Sequence, residues 1–166
     1  MNNPRDPIGI LMKEHDEVLQ HLNRLAHATE YIKVNGFSYE AFAQITEALL
    51  YINMEIPKHN EKEEKYLFPL MDRHGNGSPA LMRDEHRELL RALSALKECI
   101  KDVEELRIHP STIHDLIKCS MAVIELLRSH IAKENTILFP RAKQVLTSDE
   151  YKQLRHDIIS STVSVS

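Results

Sequence analysis

The chain has 166 residues, of which 42% are hydrophobic and 28% charged, with a formal net charge of −4 and a pI near 6.2. That balance fits one soluble domain with a real core and lacks the basic footprint of a nucleic-acid binder. No run approaches the roughly 18 apolar residues of a membrane span and Met1–Pro7 contains no apolar secretion segment, so a cytoplasmic protein with no membrane or nucleic-acid partner is expected.

Only four Gly and seven Pro interrupt the chain, which favours long helices. The first helix starts at an Asp6 cap with Pro7 in its first position and runs to about Val34, before Asn35-Gly36. Ile8, Leu11, Met12, His15, Leu19 and Leu22 recur along it at helical spacing. The second follows a Ser38 cap to about Asp72, with Pro57 expected to kink it and Pro69 to kink or tighten its last turn. The third begins with Ser78-Pro79 and stops before Pro110. The fourth runs from Ser111 to about Val145, with Pro140 matching Pro69. A short fifth helix, capped by Thr147 or Ser148, reaches about Ile159, and Ser160–Ser166 reads as a frayed tail.

Short loops force neighbouring helices to run antiparallel. The predicted fold is therefore all-α: an up-down-up-down four-helix bundle over about 7–145, with a short C-terminal helix and tail at 147–166. The whole of 1–166 is predicted to form a single domain. Cys99 and Cys119 are too few for a disulfide framework and read as reduced core thiols.

A motif appears twice in this pattern. His15, His59-x-x-x-Glu63, His86 and His130-x-x-x-Glu134 form two copies 71 residues apart (86 minus 15, 130 minus 59, 134 minus 63), and the same offset links Phe68-Pro69 to Phe139-Pro140. Counting from the helix ends at 1.5 Å per residue puts all six polar residues within roughly 10–12 Å along the bundle axis. Each histidine shares a face with leucines, and i, i+4 spacing stacks His59 on Glu63 and His130 on Glu134. A lone histidine on such a face is an ordinary core residue. Four at one level with two carboxylates would need partners that a leucine-rich core lacks, at a few kcal/mol each; a metal satisfies them together.

Imidazole and carboxylate without thiolate suit iron, and manganese or zinc also fit. Six donors are too many for one tetrahedral zinc and too few to saturate two octahedral ions. The economical set is two ions roughly 3.5–4 Å apart, bridged by both glutamates, with two histidines on each. The residual positive charge favours a bridging oxide or hydroxide, an Fe–O(H)–Fe centre.

The residues Glu14-His15, His59 to Pro69, Glu85-His86 and His130 to Pro140 closely resemble the hemerythrin-like, HHE cation-binding family over about residues 8–145. The resemblance implies a bundle holding a non-haem di-iron centre that binds or senses O2 or NO, meets peroxide, or handles iron. Oxygen carriers of that family place a further histidine where this chain has Leu90, so the four-His, two-Glu set resembles the iron-handling branch more closely. A di-iron oxidase or peroxidase consuming O2 or peroxide is the alternative, and a structural zinc protein the third.

Glu55, one turn before His59, is a candidate seventh donor, though its repeat mate Leu126 is apolar. Glu14 and Glu85 are expected at the rim, the alternative being a role in orienting a neighbouring imidazole. His21, His27, His74, His109, His114 and His156 have no partner at the offset and read as surface or capping residues.

Overall fold

The structure, a computed structural model, describes residues 6–75, 78–105 and 107–163. Those residues are all-helical and include no strand. In chain order they form α1 (Pro7–Asn35), α2 (Tyr39–Lys62), a π-helical turn (Glu63–Leu67), α3 (Phe68–Asp72), α4 (Ser78–Glu104), α5 (Pro110–Lys133), a second π-helical turn (Glu134–Leu138), α6 (Phe139–Val145) and α7 (Ser148–Val163).

Local chemistry explains most of the boundaries. The Asp6 carboxylate accepts the Gly9 N–H at 3.2 Å, and Ser38 accepts that of Ala41 at 3.3 Å, satisfying donors the helix leaves open. Gly36, at φ +88°, ends α1 while its N–H still donates to the Ile32 carbonyl. α5 starts at Pro110, one residue earlier than predicted: the Thr112 hydroxyl accepts the His109 N–H at 2.9 Å, and proline needs no partner at a first helical position. α4 ends at Glu104, well short of Pro110. The predicted cap by the Ser78 side chain lies outside the described residues, as do residues 164–166 of the predicted tail. The rest of that tail is helical to Val163, with the Ser161 and Thr162 hydroxyls donating to the Ile158 carbonyl.

Proline at 57 frees the carbonyl of Asn53, which is solvent-exposed, and α2 continues through it. The departure from α geometry comes at Glu63–Leu67 and Glu134–Leu138. There the Phe68 and Phe139 N–H groups reach back five residues to the carbonyls of Glu63 and Glu134. Pro69 and Pro140 follow immediately and cannot donate, so widening the turn ahead of them accommodates the missing bond.

α1 packs along α2, and α4 along α5; α1 also meets α5, and α2 meets α4. The first pair is antiparallel, since His15 meets His59 while His21 stacks on Tyr51. So is the second, where His86 faces His130 and Cys99 faces Cys119. The two thiols, distant in sequence, lie 3.2 Å apart and are free; burial and Cys119 push Cys99 up to about 12.

The core divides into two apolar clusters. One holds Val18, Leu22, Ile52, Ile56, Leu89, Leu93, Val123 and Leu127. The other holds Ile8, Leu11, Leu67, Phe68, Met82, Leu138, Phe139, Leu154 and Ile158. The repeated histidines and glutamates lie where the two clusters meet. α7 belongs to the second cluster through Leu154 and Ile158, both fully buried. The C-terminal helix is therefore a wall of the core. Leu154→Ala should lower unfolding free energy by about 2–4 kcal/mol in denaturant titration, whereas a surface appendage would lose less than about 0.5 kcal/mol.

Candidate metal centre

All six predicted side chains converge. His15 comes from α1, His59 from α2, His86 from α4 and His130 from α5; Glu63 and Glu134 are the first residues of the two π turns. Each is 3% exposed or less, and both glutamates are fully buried. Ligand atoms of His15, His59, Glu63 and Glu134 lie within 4.8 Å of one another, and so do those of Glu63, His86, His130 and Glu134. The two groups share both carboxylates.

The sharing is specific at the level of atoms. Glu63 directs Oε1 to His59 Nε2 at 3.3 Å and Oε2 to His86 Nε2 at 3.2 Å. Glu134 directs Oε2 to His15 Nε2 at 3.1 Å, and Oε1 to His130 Nε2 at 3.1 Å and His86 Nε2 at 3.6 Å. Each carboxylate thus offers one oxygen to each histidine pair, and each pair comes from one half of the repeat.

The opposite edge of every imidazole is tied down. His59 Nδ1 donates to Glu14 at 2.8 Å, His86 Nδ1 to Glu64 at 2.7 Å, His130 Nδ1 to Glu85 at 3.0 Å, and His15 Nδ1 to Asn135 Oδ1 at 2.8 Å. A proton fixed on Nδ1 leaves the Nε2 lone pair for the centre. His15 and His59 accordingly bring two Nε2 atoms to 2.8 Å, a repulsive arrangement unless something positive lies between them. The four carboxylate oxygens of Glu63 and Glu134, with Nε2 of His86 and His130, are buried without a properly aligned hydrogen bond. Donors bound to one ion at about 2.1 Å and a right angle apart stand roughly 3 Å from each other. These spacings and this donor set fit metal ions.

Glu14 and Glu85 were expected at the rim. Both are partly exposed and cross to the neighbouring helix, each orienting an imidazole and holding a lysine: Glu14 takes His59 and Lys62, and Glu85 takes His130 and Lys133. Glu64 and Asn135, which motif reasoning passed over, occupy one repeat position and hold His86 and His15. Their signal was the same 71-residue offset. Glu55 pairs with Lys58 and stays outside both groups. Phe139 stacks on His15 and Phe68 on His86, lidding the centre on the α7 side. None of the six remaining histidines joins the centre; His21 stacks on Tyr51 and His74 binds Glu150.

Without a cation, protons take its place. Burial opposes charge on His59, but Glu63 and Glu14 outweigh it and raise the imidazole to about 10. His86 rises to about 10 for the same reason, through Glu134, Glu63 and Glu64. Burial pushes Glu134 up, yet the close imidazoles of His130, His15 and His86 hold it well below the usual carboxylate range. Raised folded-state values for His59 and His86 stabilise fully below the unfolded value near 6.5, and that contribution is lost as pH rises through about 10. Metal-free protein should therefore melt at progressively lower temperature between pH 6.5 and 10 in chelator. A flat or rising profile across that window would contradict the arrangement.

A family model described as the hemerythrin HHE cation binding domain matches residues 6–142. Among curated relatives, the iron-sulfur cluster repair protein YtfE of Salmonella typhimurium (strain LT2) is 29% identical over 138 residues. Proteins of the same name from Escherichia coli O81 (strain ED1a) and Escherichia coli O1:K1 / APEC are each 30% identical over 139. These alignments cover 80% of this chain and 63% of each relative's length.

Proposed function

The chain belongs to the hemerythrin HHE cation-binding domain family, and on that premise we propose that it is a single-domain four-helix bundle holding two irons. In this reading His15 and His59 hold one ion, His86 and His130 the other, and Glu63 and Glu134 bridge both. The observation that carries the reading is the division of each buried carboxylate, one oxygen to each histidine pair.

Two irons held this way supply electron-transfer chemistry and open positions for O2, NO or peroxide. The chain's own residues do the rest. Glu14, Glu64, Glu85 and Asn135 fix each imidazole's tautomer and aim, which raises its basicity toward a cation. The two glutamates offset half the charge of two divalent ions, so a net positive centre favours an anionic ligand. Apolar layers on both sides keep bulk water out and strengthen that attraction.

The repair role in the relatives' name favours iron handling here over dedicated oxygen carriage, and the relatives extend beyond the part that this chain matches. No helix among the described residues is long and apolar enough to cross a membrane, which accords with a cytoplasmic setting.

Anaerobic ferrous loading should give about two irons per chain and a higher melting temperature than the metal-free form, because only the folded state assembles the site. Glu63→Ala and Glu134→Ala should each lose iron under conditions where His27→Ala does not. Glu85→Ala should keep the site but weaken affinity about 10–100-fold. One iron per wild-type chain, or equal losses in all these variants, would sink the dinuclear reading.

A further inference from the structure

The second half of the repeat carries two sulfurs that the first half lacks. At the 71-residue offset Cys99 corresponds to Ala28 and Cys119 to Ala48. Both alanines are buried in the apolar core, at 2% and 1% exposure. A methyl group therefore suffices for packing at these places, and the α4/α5 hairpin adds a thiol at each of them. The two Sγ atoms lie 3.2 Å apart, from residues 20 apart in sequence, and both residues are half-buried, so a solute can reach them.

The pair sits away from the histidines. Cys99 is 13 residues beyond His86 on α4 (99 minus 86), and Cys119 is 11 before His130 on α5 (130 minus 119). At 1.5 Å per residue that is roughly 17–20 Å along the helices. The turn joining α4 to α5, between Glu104 and Pro110, lies just beyond the thiols. A bond between them would close that turn into a ring.

We propose that Cys99 and Cys119 are a redox-sensitive pair that a low-molecular-weight disulfide oxidises to an intramolecular disulfide, tying α4 to α5 across the turn. The Cys119 sulfur, as thiolate, attacks one sulfur of the oxidant, whose S–S bond breaks and releases one thiol. Cys99 then gives up its proton and displaces the second thiol from the mixed disulfide. Two protein thiols lose two electrons, the oxidant is reduced to two thiols, and the two protein protons end on those leaving groups. Burial and the neighbouring Cys119 push Cys99 up to about 12. That makes Cys99 the poorer first attacker and assigns the opening step to Cys119. An approach of about 1 Å brings the sulfurs to bonding distance, and their adjacency makes ring closure faster than a second exchange with the oxidant. Closure restricts the unfolded chain, so the oxidised hairpin is the more stable form. The pair holds no metal, and the tie stands independently of the iron reading.

The test incubates the iron-loaded full chain anaerobically with oxidised glutathione, blocks the remaining thiols with iodoacetamide and reads intact mass. The wild-type chain should lose both alkylatable thiols, weigh two hydrogens less without bound glutathione, stay monomeric, and regain both thiols in dithiothreitol. It should melt about 5–10 °C higher oxidised than reduced. Cys99→Ala and Cys119→Ala should each fold, since alanine fills both equivalent places in the first half, and each should stop at one bound glutathione with no such rise. Capture should be faster in Cys99→Ala, which keeps Cys119; faster capture in Cys119→Ala contradicts the assigned order of attack. A wild-type chain that keeps two alkylatable thiols, accumulates a glutathione adduct, or links chain to chain overturns the proposal. So does an internally oxidised chain that melts no higher than the reduced one.

Discussion

Two fully buried carboxylates, Glu63 and Glu134, face four imidazole nitrogens in the middle of an apolar core, and the rest of the molecule is organised around keeping them there. Left uncompensated, such a layer would cost more than most small domains possess in net stability. The chain meets the problem from outside inward. Surface-side acceptors pin every Nδ1–H, and the lone pairs that remain converge where a cation neutralises them. Protons serve the same end when metal is absent, which is why His59 and His86 hold theirs so far above the usual range.

Geometry at that layer follows from three local devices. Helical i, i+4 spacing sets each His above its Glu. The π turns begin at the glutamates themselves, and the prolines that follow require a wider turn there. Apolar clusters above and below keep the polar residues almost wholly buried. Because each half supplies one histidine pair and one glutamate that faces both pairs, neither half completes the cluster alone. The duplication therefore couples the two helical hairpins through the site as well as through leucine packing. Among the positions where the halves differ, Glu64 against Asn135 changes the acceptor behind one histidine of each pair, His86 and His15.

Much of this was legible in the sequence, for physical reasons. His15, His59, Glu63, His86, His130 and Glu134 could be found because a repeat offset, helical periodicity and metal-donor chemistry agreed on the same residues. The caps at Asp6 and Ser38 were readable because their side chains act on backbone three residues away. The acceptors behind the histidines were less so. Glu14 and Glu85 could be placed near the rim, but which imidazole each would hold, His59 and His130 on the next helix, is set by packing and not by spacing. Pro57 suggested a kink because the rule for proline is local. Cys99 and Cys119 looked unrelated until antiparallel packing brought them together.

Iron K-edge X-ray absorption on the anaerobically loaded protein tests the central claim most directly, since it reports both the donors around each metal and the distance between metals. A first shell of nitrogen and oxygen alone, with a metal–metal vector at about 3.5–4 Å, is the predicted result. Sulfur in the first shell, or the absence of a metal–metal vector at full loading, would contradict a shared centre built from four histidines and two bridging glutamates.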